Sequence, residues 1–501
     1  MEDKKVHGLE KSNIRMRKII SFMHSSSFAT MILTISLIYP TLLPSSFAQI
    51  ADNTNELLSK ATNLSNTPNV ENKDPHVMVS ENGSVYATWL NRDDNRIVFT
   101  KSISQEDDRT NFSPPIYLND DSGNHVFDVQ MAVSGSNVYV LWDISDNVFF
   151  TRSTDGGGSF SRETALKIGE SSTHRNTVLA TSGGNNVYIL FYSEVSDPQP
   201  ILFVRSIDGG STFLDPIILS NTAIGDTNLI PQLAESEDGN NVYVIWHDES
   251  GIFFKRSIDN GATFSNANNL FNGSCSRDLQ LTTYRNNVYT ACIVEGTDTS
   301  ETESGLQRSQ PYQILVFARS PDNGATFNNA VSLTDIEENY AEHPLIAAEN
   351  NNVYVIWEEI QGSVSYSDIY FRKSGDNGVT FTYGTDITND TEDSFIGDIA
   401  VYGSDLIVVW TSVLENPIRG SGLVEENQEV FLMRVKDNGT IFGNKVNISN
   451  DKADSREPAV AIHGNNAYVT WISGEYGSKS DILLAKINLG EPEKPISAAQ
   501  G

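Results

Sequence analysis

The sequence predicts an all-β protein, a β-propeller of four-stranded antiparallel blades. Three observations predict it. A strand like "NNVYVIW" recurs eight times along the 501 residues. A turn like "RSIDNGATF" recurs six times in step with it. Each unit divides into four short apolar runs joined by Asn- and Gly-rich turns, the pattern of an antiparallel meander. Units of this size repeated radially are propeller blades.

The first element is an export signal. Lys4, Lys5, Lys11, Arg15, Arg17 and Lys18 precede an apolar run, "FATMILTISLIYPTLL" at 28–43. "PSSFAQ" follows, with Ser46 and Ala48 at the small positions a signal peptidase prefers. Residues 1–48 are expected to be cleaved after Ala48, leaving no membrane span. The run holds Pro40 and is short for a span, and an uncleaved N-terminal anchor is the alternative. The leader carries six basic and three acidic side chains, so cleavage takes the net charge from −31 to −34. Such a chain repels nucleic acid and anionic lipid. The expected location is secreted or at the cell surface.

The strand copies stand at 83–91, 136–144, 185–193, 240–248, 286–294, 351–359, 403–411 and 465–473. Near Pro231 the four runs of one unit read "PQLAES", "NVYVIW", "GIFFKRS" and "TFSNANNL". "VYVIW" is apolar on both faces, as a blade packed between two neighbours requires. The turn aspartates set a period of 51 to 63 residues. The last unit, 456–490, has three strands and no fourth. "ELLSKATNLSN" at 56–66 resembles a fourth strand and is expected to complete that blade, sealing the ring and removing an exposed edge. Eight blades are predicted, or seven if the diverged first unit is not one. The propeller is assigned to 49–489 and a polar tail to 490–501.

The turn S-x-D-x-G-x-[ST]-F resembles the Asp-box, or BNR repeat, of the sialidase-like propellers. Asp155, Asp208, Asp259, Asp322 and Asp376 match it well, and Asp437 stands in a weaker copy. An Asp in such a turn accepts hydrogen bonds from its own backbone, and the Gly permits a positive φ. The box is therefore expected to be structural. The same holds for the repeated Arg152, Arg205, Arg256, Arg319 and Arg434.

The turns joining strands one and two, and strands three and four, are nearly constant and share one rim. The opposite rim carries variable loops, including insertions at 294–313 and 412–429. Repeat proteins place such variation on the binding face. The residues entering the innermost strands are read as Asp74, Phe127, Arg175, Ile230, Arg277, Glu342, Phe395 and Arg456. The next position is read as Pro75, Asp128, Asn176, Pro231, Asp278, His343, Ile396 and Glu457. Arg175, Arg277 and Arg456, with Glu342 and Glu457, are thus candidate ligand-binding residues at the channel mouth. Guanidinium forks suit a planar carboxylate.

The resemblance to sialidases implies an arginine triad, here Arg175, Arg277 and Arg456, and an acid, here Asp74 or Asp128. It also implies a Tyr–Glu nucleophile pair, for which no tyrosine is identified. No Arg-Ile-Pro motif is present, and the family's enzymes have six blades. The competing reading pairs the arginines with Glu342, Asp278 and Glu457 as structural ions.

Cys275 and Cys292 flank the first two strands of the fifth unit, where a disulfide is possible in an exported protein. The Trp ending strand two is expected in the core between blades, with sugar stacking as the alternative. No cofactor is expected; "NDDSGN" at 119–124 could hold calcium. The leading expectation is an exported propeller that binds a glycan or protein ligand on the variable-loop rim without catalysis. The alternatives are a sialidase-like glycoside hydrolase using the arginines and a structural envelope component.

Overall fold

The structure, a computed structural model, describes residues 59–490 apart from residues 68, 106–109, 121–124, 145–146, 167–173, 183–184, 194–199, 221–230, 237–238, 249–250, 272–274, 299–309, 335–338, 362–365, 418–423, 451 and 476. The expected signal peptide and nearly all of the polar tail lie outside these residues. Among the described residues there is no helix, and so none long and apolar enough to cross a membrane.

The strands form antiparallel four-stranded sheets in chain order. The first strands of successive sheets are Asn72–Val79, Val126–Ser134, His174–Ser182, Gln232–Glu235, Cys275–Tyr284, Asn339–Glu349, Asp393–Tyr402 and Ser455–His463. We number the sheets one to eight by these strands. Sheets five and six share one parallel pairing, Gln313 with Tyr340. In sheets one and seven the fourth position is filled by two short strands.

Second strands such as Val85–Asn91 are buried on both faces. This explains why β-branched and aromatic residues follow one another there without polar interruption. Each core cluster joins a sheet to the next, and one joins sheet eight to sheet one. Trp89, Trp142, Trp246, Trp357, Trp410 and Trp471 are all buried. They are core residues, and the sugar-stacking alternative is withdrawn. Cys292 is buried between sheets four and five. The side chain of Cys275, and with it the expected disulfide, lies outside the described residues.

The N-terminal strand expected over 56–66 pairs with sheet eight through Thr62–Asn63, opposite Leu484 and Leu483. Leu64 N donates to Ile482 O at 2.8 Å. The Leu64 side chain, 5 % exposed, enters the core between sheets eight and one. Leu64→Ala is expected to cost about 2–4 kcal/mol, read as a lowered urea midpoint with earlier proteolysis near residue 60. An unchanged midpoint would show that this strand does not hold the two sheets together.

The repeated turn does more than reverse the chain. Ser257 Oγ donates to Asp259 Oδ1 at 2.6 Å. Thr263 N and Thr263 Oγ1 donate to its two oxygens at 2.8 and 2.6 Å. Gly261 N donates to Ser257 Oγ at 2.9 Å. Desolvation, the largest single influence, raises the pKa of Asp259, but these bonds outweigh it and hold the carboxyl at about 2. Asp155, Asp208, Asp322 and Asp376 make the same bonds. Asp437 departs from this pattern and accepts from Thr440 Oγ1 at 2.8 Å.

Each box also docks on the preceding sheet. Lys101, Arg152, Arg205, Arg256, Arg319 and Lys373 donate to a backbone carbonyl at the tip of the following sheet's box. The closing Phe of each box packs edge-on against a Phe of the preceding sheet, as Phe264 does on Phe203 at 4.9 Å. Sheet eight has no box. Accordingly Arg434 of sheet seven turns to Asp405 of its own sheet, in a bidentate pair at 2.9 and 3.0 Å.

Candidate functional site

The candidate site lies where the first strands begin. In six sheets the ladder between the first two strands skips two residues there, and in sheet seven it skips one. Such bulges bend a strand and re-aim its side chains. In sheet four the described pairing starts only at Gln232, opposite Ile245, and residues 221–230 before it lie outside the described ones. The last paired residues before the bulge are Lys73, Phe127, Arg175, Arg277, Glu342, Ile396 and Arg456. The three arginines and Glu342 therefore share one level, as the sequence pattern predicts.

Asp74 does not share it. Lys73 holds that register, and Asp74 is the bulged residue, one position later than expected. The cause is the bulge itself: counting back from the strand-two signature cannot see an extra residue. The bulged positions are Asp74, Asp278, His343 and Glu457, with φ of 50, 56, 49 and 54°. None is a glycine. Asp128 stands between the paired Phe127 and Gln130 of sheet two. Its side chain, like those of Arg175 and Arg277, lies outside the described residues.

Arg456 is 6 % exposed. Its Nη1 donates to Gly474 O at 2.5 Å, and its Nε lies 3.9 Å from Glu457. One nitrogen of the guanidinium is thus held by the backbone of its own sheet. Glu457 and Asp74 are exposed neighbours. Burial raises the Glu457 pKa first and the charge of Asp74 adds to it, against Arg456 and Lys73.

The most connected group is one that sequence reasoning missed. Glu358, 4 % exposed, follows Trp357 at the end of an apolar strand. Its Oε2 lies 3.0 Å from His343 Nδ1, and its Oε1 accepts from Ile396 N at 2.8 Å. His343 N in turn donates to Asp278 Oδ2 at 3.1 Å. Sheets five, six and seven are thus linked through the His343 backbone amide, its imidazole and the Glu358 carboxylate. The hydrogen bond to Glu358 raises the His343 pKa to about 9; desolvation opposes it, and the charges of Glu358, Asp278 and Glu342 add to it. The sequence signal was a charged pair, "EE" at 358–359, closing an apolar strand.

Similar bridges join sheet two to sheet three and sheet seven to sheet eight. Gln130 accepts from Leu179 N at 2.8 Å and donates to Thr177 O. Asp398 accepts from Val460 N at 2.9 Å, and desolvation pushes it up to about 6. Among the described residues no group of three or more His, Cys, Asp or Glu is placed to hold a metal ion. Residues 121–124 of the expected calcium loop lie outside the described residues.

No family model matches the sequence, and no curated protein matches it. Solved structures do match. Polysaccharide lyase Uly1 aligns with a TM-score of 0.45 at 12 % identity, over 86 % of this chain and 100 % of that one. A post-proline cleaving enzyme from Rickettsia typhi gives 0.45 at 12 %, over 81 % and 58 %. A subtype N11 neuraminidase-like protein of the strain A/flat-faced bat/Peru (H18N11) gives 0.34 at 14 %, over 64 % and 90 %.

Proposed function

We propose that the sheets are the eight blades of a closed propeller, and that the protein is an exported module binding a glycan or a protein segment at its bulged rim, without catalysis. Closure is supported by the core shared between sheets eight and one and by the pairing of Thr62–Asn63 with sheet eight. The first strand of sheet eight also contacts the first strand of sheet one.

The bulges carry the binding reading. Holding non-glycine residues at positive φ costs on the order of 1–3 kcal/mol each, and such strain clusters at functional sites. The bulge recurs at the same register in several sheets. Where it occurs, it lifts Asp74, Asp278, His343 and Glu457 to one rim. That rim also carries the long variable loops of the sequence.

The test is labelled protein on a glycan array and on a displayed peptide library, beside the double variant Asp278→Ala, Glu457→Ala. The wild type is expected to retain specific ligands, and the variant, shown to be folded by circular dichroism, to bind them at least tenfold more weakly. Equal retention by the variant would place binding elsewhere.

A further inference from the structure

A second site is built at the other end of the same first strands. There a cavity of about 400 Å³ opens among sheets one to five. A deeper one of about 350 Å³ shares Val133, Thr181, Glu235 and Thr283 with it. Sheet two lines the first with Val133, Ser134 and Gly135, and sheet three with Thr181 and Ser182.

Most hydroxyls there already serve the backbone. Thr181 Oγ1 donates to Asn186 O at 2.9 Å, Thr283 Oγ1 to Glu235 O at 2.6 Å, and Ser236 Oγ accepts from Asn241 N at 2.9 Å. The Glu235 carboxylate is different. Among the described residues no side chain donates to it and no cation pairs with it. The other charged or titratable groups around it are Glu81 of sheet one, Arg285 and Tyr284 of sheet five, and Tyr188 of sheet three. Arg285 is exposed at the mouth and lies over the Tyr284 ring at 5.2 Å.

We propose that this cavity binds a small organic ammonium ion, with Glu235 as its counter-charge. The Glu235 side chain is half-buried, and a carboxylate partly withdrawn from water is costly unless a cation joins it. The cavity is the size of ordinary small-ligand pockets, which suits an organic ammonium better than a bare metal ion. A chain of net charge −31 draws cations toward such a cleft. Burial pushes the Glu235 carboxyl up to about 7, so the site would be half-charged near neutrality and would bind more tightly as pH rises. This site is independent of the bulged rim.

Choline chloride is the probe, because its charge does not titrate; dimethylbutanol is its uncharged isostere. Calorimetry on the whole protein should show choline binding at pH 8 and about tenfold weaker binding at pH 6. The isostere and potassium chloride should give no comparable heat. Glu235→Gln should abolish choline binding and its pH dependence at an unchanged melting temperature. If that variant does not fold, Val133→Phe, which fills the chamber and leaves the carboxylate, should block choline. Equal binding of the isostere, equal competition by potassium, or no choline binding at pH 8 would overturn the proposal. So would undiminished choline binding by either folded variant.

Discussion

Gly261→Ala is expected to lower stability by about 2–5 kcal/mol. Gly261 sits at φ +73°, and a Cβ there would lie 2.7 Å from Phe203 Cζ. Two costs add. Left-handed backbone costs a non-glycine residue about 1–2 kcal/mol. Forcing a methyl into a packed ring adds about 1–3 kcal/mol. Phe203 cannot retreat, because it is buried in the core between sheets three and four and carries Phe264 edge-on at 4.9 Å.

Gly135→Ala separates the two costs. Gly135 has φ +59° and nothing within 4 Å of the added Cβ, so only the backbone term applies, about 1–2 kcal/mol. Urea midpoints of the two variants should therefore differ by roughly the clash alone. If they fall equally, the box glycine is needed for its turn and not for docking on the preceding sheet.

Glu358→Gln should uncouple His343. The Gln carbonyl can still accept from Ile396 N, so the change removes the charge and little else. The ring pKa should fall from about 9 toward its ordinary value, read by NMR titration. A rise from the ordinary value to about 9 corresponds to about 3 kcal/mol. The His343 side chain is 53 % exposed, so solvent screening reduces the expected loss at neutral pH to about 1–2 kcal/mol.

The sign follows from the raised folded-state pKa. The pair contributes its full stability below pH 6.5, the unfolded value, and loses it as pH climbs through about 9. The stability gap between wild type and variant should thus be widest near pH 6 and close by about pH 10. A gap that persists at high pH would assign the loss to packing instead.

The Asp-box was legible in the sequence because every contact that shapes it is local. Ser257, Asp259, Gly261 and Thr263 bond within a seven-residue stretch, and the same letters fold the same way at each copy. The strand "VYVIW" was legible too, since burial on both faces leaves an unbroken apolar run. The docking of Arg205 on the carbonyl of Asn260, 55 residues away, was not. Repetition marked that arginine as scaffold without naming its partner.

The site was legible only to the accuracy of one residue. Arg175, Arg277, Arg456 and Glu342 were placed on one level by counting, and they share it. Asp74 was misplaced, because a bulge is a mismatch between two strands and one strand cannot record it. One residue of slip exchanges the faces of a strand. Whether a side chain faces a ligand or its own backbone is decided by neighbours far along the chain. Arg456 gives Nη1 to Gly474 O across its own sheet. Glu358 meets His343 across a strand pair and Ile396 across a sheet boundary. The chain's local chemistry fixes the units and their turns; the contacts between units decide which charges remain open to a ligand, because those distances exist only once the sheets are packed.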